Sequence, residues 1–148
     1  MKLEWKIKPF NTLSAQEVYS FLKLRSEVFV VEQNCVFLDI DGKDSIALHL
    51  IGEYDKKVVA YARLFKAGDY YKNASIGRVV IDAKYRDKKW GNDLMEQAIY
   101  GILQHFNQTK ITIGAQLYLQ KFYEKHGFVV TSDVYLEDDI DHIEMKRE

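Results

Sequence analysis

The segment with the most chemical potential is Ile76-Gly77-Arg78-Val79-Val80-Ile81 followed by DAKYRDKKWGNDL. A β-rich run gives way there to a loop with four basic residues (Lys84, Arg86, Lys88 and Lys89) and then to a helical pattern. The first amides of a helix lack intrahelical acceptors and sit at the positive end of its dipole, so phosphate oxygens are favoured at such a junction. The same residues also fit an ordinary solvated loop, and the junction alone does not separate the two readings. Groups able to take a proton are Glu32, after the apolar run Val28 to Val31, and His142, near the C-terminal end. Each has a plain structural alternative, a helix-end charge for Glu32 and a hydrogen-bonded imidazole for His142. His49, inside IALHLIG, reads as a satisfied core residue. Cys35 needs a neighbouring base to act as a nucleophile, and the sequence supplies none beside it. The four His and one Cys lack metal-ligand spacing, so no metal is expected.

These residues must be positioned by elements that the sequence partly declares. Ser14-Ala15-Gln16-Glu17 is a capping box, and the apolar rhythm of Val18, Phe21, Leu22 and Leu24 continues it as an amphipathic helix to Arg25. Ser26 to Glu32 fits either a second short helix or a strand. Asp39 to Ser45, with its Asp-Gly pair, is a polar loop. Ile46 to Tyr54 and Lys57 to Phe65 predict a hairpin around Asp55-Lys56, and Ser75 to Ile81 a third strand. The strongest periodicity, Leu94, Met95, Ala98, Ile99, Ile102, Leu103 and Phe106, predicts a helix over Gly91 to Phe106. Lys110 to Ala115 reads as a strand and Tyr118 to His126 as a helix stopped at Gly127, where a positive φ is needed. A last strand pair is expected at Phe128 to Tyr135 and Ile143 to Arg147, around EDDID. One mixed sheet covered by helices on both faces is the economical architecture.

Composition narrows the function classes. The 148 residues, 47% hydrophobic and 29% charged, suit one globular domain, and 21 basic against 22 acidic residues leave a net charge of -1. That balance offers no general hold on nucleic acid or an anionic membrane. MKLEWKIKPF lacks a leader's apolar block, no stretch reaches the ~18 apolar residues of a membrane span, and one Cys cannot form an internal disulfide. A cytoplasmic protein is expected, with a homodimer compatible with this composition.

The junction and AQLYLQKFYEKHGF resemble the GNAT N-acetyltransferase superfamily, whose members use acetyl-coenzyme A. The family's pyrophosphate loop reads Arg or Gln, two residues, Gly, one residue, Gly or Ala; the six positions here are Arg86, Asp87, Lys88, Lys89, Trp90 and Gly91. The first and last match, while Lys89 and Asp87 stand where glycine is common. The blocks LRSEVFVVEQ, DIDGKD, IGRVV, AQLYLQKFYEKHGF and EDDIDHIEM, spread over Leu24 to Met145, resemble the ElaA-type branch, in which glycine is common at Asp139. The resemblance implies an α/β (mixed α+β) fold, one GNAT-like domain over residues 1–148, with a central mixed, mostly antiparallel sheet. It also implies that Val79, Val80 and Ile81 meet the pantetheine arm and that Arg86 to Gly91 hold the pyrophosphate. Gln116, seven residues before Tyr123, stands where many relatives carry a coenzyme-contacting asparagine, and Tyr123 matches the tyrosine that often protonates the departing thiolate.

The implied reaction is direct attack of a neutral primary amine, of a small molecule or peptide, on the thioester. A strand amide in Val79 to Ile81 would hold the oxyanion, Tyr123 would give the proton, and Glu32 or His142 would serve as base. LRSEVFVVEQ with D-x-D-x-x-D also resembles the acyl-homoserine lactone synthases. In that reading Arg25 or Arg63 meets an anionic acceptor group, against internal ion pairing with Asp41 or Asp44 as the structural alternative. A non-catalytic acyl-coenzyme A sensor is the reading from another class.

Overall fold

The computed structural model describes residues 2–148. Eight strands, β1 (Glu4–Pro9), β2 (Leu48–Tyr54), β3 (Lys57–Phe65), β4 (Ala74–Ile81), β5 (Ile111–Gln116), β6 (Val129–Val130), β7 (Tyr135–Glu137) and β8 (Ile140–Arg147), form one sheet. Its order is β1-β2-β3-β4-β5-β8-β6, with β7 also on β8. Every pairing is antiparallel except β4 with β5. Three helices, α1 (Ala15–Arg25), α2 (Trp90–Phe106) and the short α3 (Gln120–Glu124), complete the fold.

The capping box forms in full: Glu17 N donates to Ser14 Oγ at 3.0 Å and Ser14 N to Glu17 Oε1 at 2.8 Å. It starts α1, whose Phe21 and Leu24 pack with Val28 on Ile51, Tyr61 and Val80 of one sheet face. On the other face α2 buries Leu94, Met95, Ala98 and Ile102 against Leu50, Ala62, Leu64, Ile76 and Ile113. Each of the Leu, Ile and Met side chains among them contributes roughly 1.5–3 kcal/mol by leaving water. Gly101 lets α2 lie this close, because a Cβ there would stand 2.7 Å from Ile7 Cδ1 and 3.2 Å from Leu64 Cδ1.

The sequence expectations fail in four places. The strand at Glu4–Pro9 is an addition; its Trp5 and Ile7 alternate with lysines, and it pairs along β2 from Leu48 to Glu53. Ser26–Glu32 is neither an ordinary helix nor a strand: α1 runs on without a break into a π-helical segment, shown by Gln33 N bonding Val28 O and Cys35 N bonding Val30 O. The helix expected over Tyr118 to His126 is a 3₁₀ turn at Leu117–Leu119 and five α-helical residues, ended by Gly127 at φ 89°. The last strand pair is three strands, and the EDDID loop shrinks to a tight turn with Asp138 and Asp139 both left-handed, at φ 51° and 62°. That conformation gives the physical reason why glycine suits position 139.

Candidate active site

The site is a split in the sheet. The parallel strands β4 and β5 pair only at Ala74 with Ile111 and Ser75 with Thr112. Beyond that point β4 stays bonded to β3 and β5 to β8, so the facing edges have no ladder partner. Where Gly77 faces Arg63 and Val80 faces Tyr61, β4 carries one extra residue, a bulge with Arg78 at φ 50°. A cleft of about 690 Å³ occupies the split, lined among others by Val79, Val80, Ile81, Gly114 and Gln116. Unpaired strand edges offer amide and carbonyl groups to an amide-bearing arm such as pantetheine.

At one end the cleft meets the start of α2. No side chain caps that helix, and although Asn92 N bonds Lys89 O at 3.3 Å, the Trp90 and Gly91 amides before it are available to an anion. Of the six loop residues Arg86, Lys89 and Gly91 line the cleft. Asp87 and Lys88 are exposed and do not line it. The Trp90 side chain is buried, with its ring 5.5 Å from both Tyr54 and Tyr85, leaving only its backbone for a ligand. Arg86 grips Glu32 with both terminal nitrogens, Nη2 donating to Oε1 at 2.8 Å. The Arg86 hydrogen bond holds the Glu32 carboxyl below its ordinary range, which makes Glu32 a poor proton acceptor. Gln116 and Gln33 exchange side-chain amide bonds at 3.1 and 3.2 Å, tying β5 to the residue after the π-helical segment.

Lys89 sits at φ 61°, the left-handed conformation that glycine adopts without cost. Lys89→Gly should raise stability by about 0.5–1 kcal/mol, the strain relieved less the unfolded-state entropy added. The same change removes a cleft-lining cation, so a thermal melt should shift up by ~2–3 °C while calorimetry shows weaker coenzyme A binding. A lowered melting temperature would contradict the strain assignment.

Tyr123 of α3 lines the cleft and is 6% exposed. Its ring packs edge-on against Phe122 and Phe128, and its hydroxyl has no hydrogen-bond partner among the described residues. Burial, and then Tyr118, push its phenol above the ordinary value, so the group stays protonated and has a proton to give.

The other end of the cleft lies on a polar sheet face, identified by the pairings Arg63–Gly77, Ser75–Thr112, Gly114–Glu144 and Gln116–His142. A Cβ at Gly114 would lie 3.0 Å from both the Tyr71 and Tyr135 hydroxyls. His142 is 6% exposed and lines the cleft. Its Nδ1 is 2.7 Å from the Ile140 carbonyl oxygen, and its Nε2 is 3.4 Å from Glu137 Oε2.

Beside this end the arginines are occupied. Arg25, wholly buried, donates to Asp39 at 2.9 Å and Asp44 at 2.7 Å. Arg63 clamps Asp41 with two bonds of 2.8 Å and reaches Asp44 at 3.0 Å. Arg78 binds Asp39 at 2.7 Å. Internal ion pairing is thus what Arg25 and Arg63 do. His49 is a core residue, held by Tyr61 Oη at 2.6 Å and the Asp44 carbonyl at 2.8 Å. Cys35 donates to Asp138 O at 3.1 Å, and burial, then Asp138 and Asp139, push its thiol up, away from a reactive thiolate.

Comparison with known proteins assigns this architecture, a mixed sheet split beside a helix start that no side chain caps, to the acyl-coenzyme A N-acyltransferases. The chain belongs to the GNAT acetyltransferase family, whose model, an acetyltransferase (GNAT) domain, matches residues 11–148. It is 40% identical to Protein ElaA of Escherichia coli over 148 residues, 99% of this chain and 97% of that one. The crystal structure of Escherichia coli ElaA superposes with a TM-score of 0.92 at 39% identity, covering 99% of each chain. An acyl-CoA N-acyltransferase from Pseudomonas aeruginosa gives the same TM-score, identity and coverage. The AHL synthase LasI matches at a TM-score of 0.75 and 13% identity, over 97% of this chain and 88% of its own, a likeness of fold alone.

Sequence reasoning missed Gln33, Tyr71, Tyr135, Glu137 and Arg78. The available signal was the period-two alternation that puts Ser75 and Gly77, or Gly114 and Gln116, on one face of a strand.

Proposed function

We propose that this chain is one N-acetyltransferase domain that moves the acetyl group of acetyl-coenzyme A to the primary amine of a small molecule or peptide. The observation that carries the reading is a single cleft lined by cations at the α2 start, by Tyr123 and by His142. Arg86, Lys89 and the Gly91 backbone bind the pyrophosphate, with the free edge of Val79 to Ile81 along the pantetheine arm. Asp87, Lys88 and Trp90 contribute loop shape and backbone. The coenzyme supplies an activated acyl group on sulfur. Amides beside the β4 bulge orient the carbonyl, His142 receives the amine's proton, and Tyr123 donates one to sulfur. Glu32, engaged by Arg86, is the weaker of the two base candidates. The lone unpaired Cys35 thiol accords with a reducing cytoplasm.

Calorimetry with acetyl-coenzyme A, followed by thiol release across an amine panel, tests this. Binding with thiol release is expected. No binding removes the enzyme reading, and binding without release from any amine favours an acyl-coenzyme A sensor.

A further inference from the structure

The β4 bulge places an arginine where the backbone favours glycine. Arg78 has φ 50°, a left-handed conformation that residues with long side chains seldom adopt. Gly77 stands beside it, yet the described glycines with positive φ are Gly42, Gly68 and Gly127. The residue that could take this conformation without cost is thus one place away and does not take it. Such strain persists only where the surroundings hold it.

The Arg78 side chain is anchored on Asp39. Its Nε donates to Asp39 Oδ1 at 2.7 Å and its Nη2 to the Asp39 backbone carbonyl at 3.0 Å, with the guanidinium 5.8 Å from the Phe37 ring. Asp39 is itself pinned from α1. Arg25, the last residue of that helix and wholly buried, donates Nε to Asp39 Oδ2 at 2.9 Å and Nη2 to the same carbonyl at 3.0 Å. Each guanidinium therefore takes one carboxylate oxygen and shares the carbonyl, a forked grip that fixes direction as well as distance. Asp39 is buried and does not line the cleft, whereas Arg78, Val79 and Val80 do. The anchor lies behind the wall that it holds.

The consequence falls on the backbone. Gly77 pairs with Arg63 and Val80 with Tyr61, so neither Arg78 nor Val79 has a ladder partner in β3. Their amides and carbonyls are the groups whose direction the bulge conformation decides. Val80 is fixed in the α1 core with Ile51 and Tyr61, and slipping the extra residue out of the strand would carry it to the opposite face. The conformation of residue 78 remains adjustable, and the bonds to Asp39 set it.

We infer that Arg78 is a positioning residue for acyl transfer: Asp39 holds it left-handed, and that conformation aims the bulge amides at the thioester carbonyl. This deepens the transferase reading and rests on it for the chemistry.

Two readouts on the full chain test the holding and the aiming separately. In the ligand-free protein, backbone carbon chemical shifts report whether residue 78 is left-handed. It should be so in the native chain and should leave that region in Arg78→Ala and in Arg78→Met, which keeps a long side chain but none of its donors. A native residue 78 outside the left-handed region, or a folded variant that retains it, overturns the inference. In the complex with acetyl-coenzyme A labelled at the thioester carbonyl, isotope-edited infrared spectroscopy reads how strongly that carbonyl is polarised. Its stretch should rise in frequency in both variants, and thiol release should slow by about tenfold or more, the scale of a misplaced reacting group. The dissociation constant should stay within about twofold, because the cations at the α2 start are untouched. An unchanged stretch in a variant whose residue 78 has moved overturns the positioning role, as does a loss confined to affinity. No binding of acetyl-coenzyme A to the native chain overturns the transferase reading, and the chemical shifts still decide whether Asp39 holds the bulge.

Discussion

Tyr123→Phe should slow thiol release by about a hundredfold or more, equivalent to roughly 3 kcal/mol of barrier, and should leave the dissociation constant of coenzyme A within about twofold. The asymmetry comes from where the hydroxyl sits. The ring's burial against Phe122 and Phe128 is kept in phenylalanine, so packing and cleft shape survive. Only an unpartnered O–H disappears, and its raised pKa keeps it protonated. A phenol of that kind is a weak acid in water, yet beside a thiolate forming out of water the transfer needs no prior ionisation. Rapid-mixing turnover and calorimetry read the two effects separately. Equal turnover in the variant would take Tyr123 out of the reaction, whereas a matched loss of affinity and rate would assign it to coenzyme packing.

Asp44→Asn should be the most damaging of the single polar substitutions, costing about 3–5 kcal/mol of folding stability. Asp44 accepts from both Arg25 and Arg63, two guanidinium groups 0% and 1% exposed, and the amide would leave each short of countercharge. Against a total of about 5–15 kcal/mol this should lower the melting temperature by ten degrees or more. Less than 1 kcal/mol lost in a urea titration would mean that solvent or the neighbouring Asp39 and Asp41 take over the pairing. The same cluster predicts an acid limb. Burial pushes the Asp44 carboxyl up, but hydrogen bonds and charge from Arg25 and Arg63 outweigh it and hold the group low; the half-buried Asp41 is pushed up by desolvation too but held low by Arg63. A folded value below the unfolded one stabilises the protein at pH above the unfolded value of about 3.9. That stability should drain away as pH falls from about 4 through the lower folded values. A melting temperature flat from pH 5 to pH 2 would contradict the pairing.

Much of the scaffold was legible because its signals are local. The capping box at Ser14 and Glu17 and the stripe from Leu94 to Phe106 each act within a few residues, and both elements form as read. The strand at Glu4–Pro9 was not, since a six-residue alternation becomes a strand only when β2 is there to receive it. The site divides along the same line. Arg86 and Gly91 declare themselves through a contiguous loop, but that Trp90 turns inward depends on Tyr54, a residue far away in sequence. The facing of Glu137 and His142 needs the exact turn at Asp138 and Asp139, and the Arg–Asp cluster joins a loop to α1, β3 and β4. Composition shows such charges as a near-zero sum, and only pairing in space shows which of them are spent.

The two-residue contact between β4 and β5 also bears on solubility. An unpaired strand edge on the outside of a sheet is a template for other chains, which is why natural proteins blunt their outer edges. Here two such edges lie within the sheet, facing each other across the split, and β3 and β8 already occupy their far sides. Phe29, Tyr71 and Phe122 are among the side chains that line the cleft between them, so a strand with side chains on both faces meets more obstruction there than a slender, amide-bearing chain. The split thus keeps backbone groups open for recognition while withholding them from aggregation.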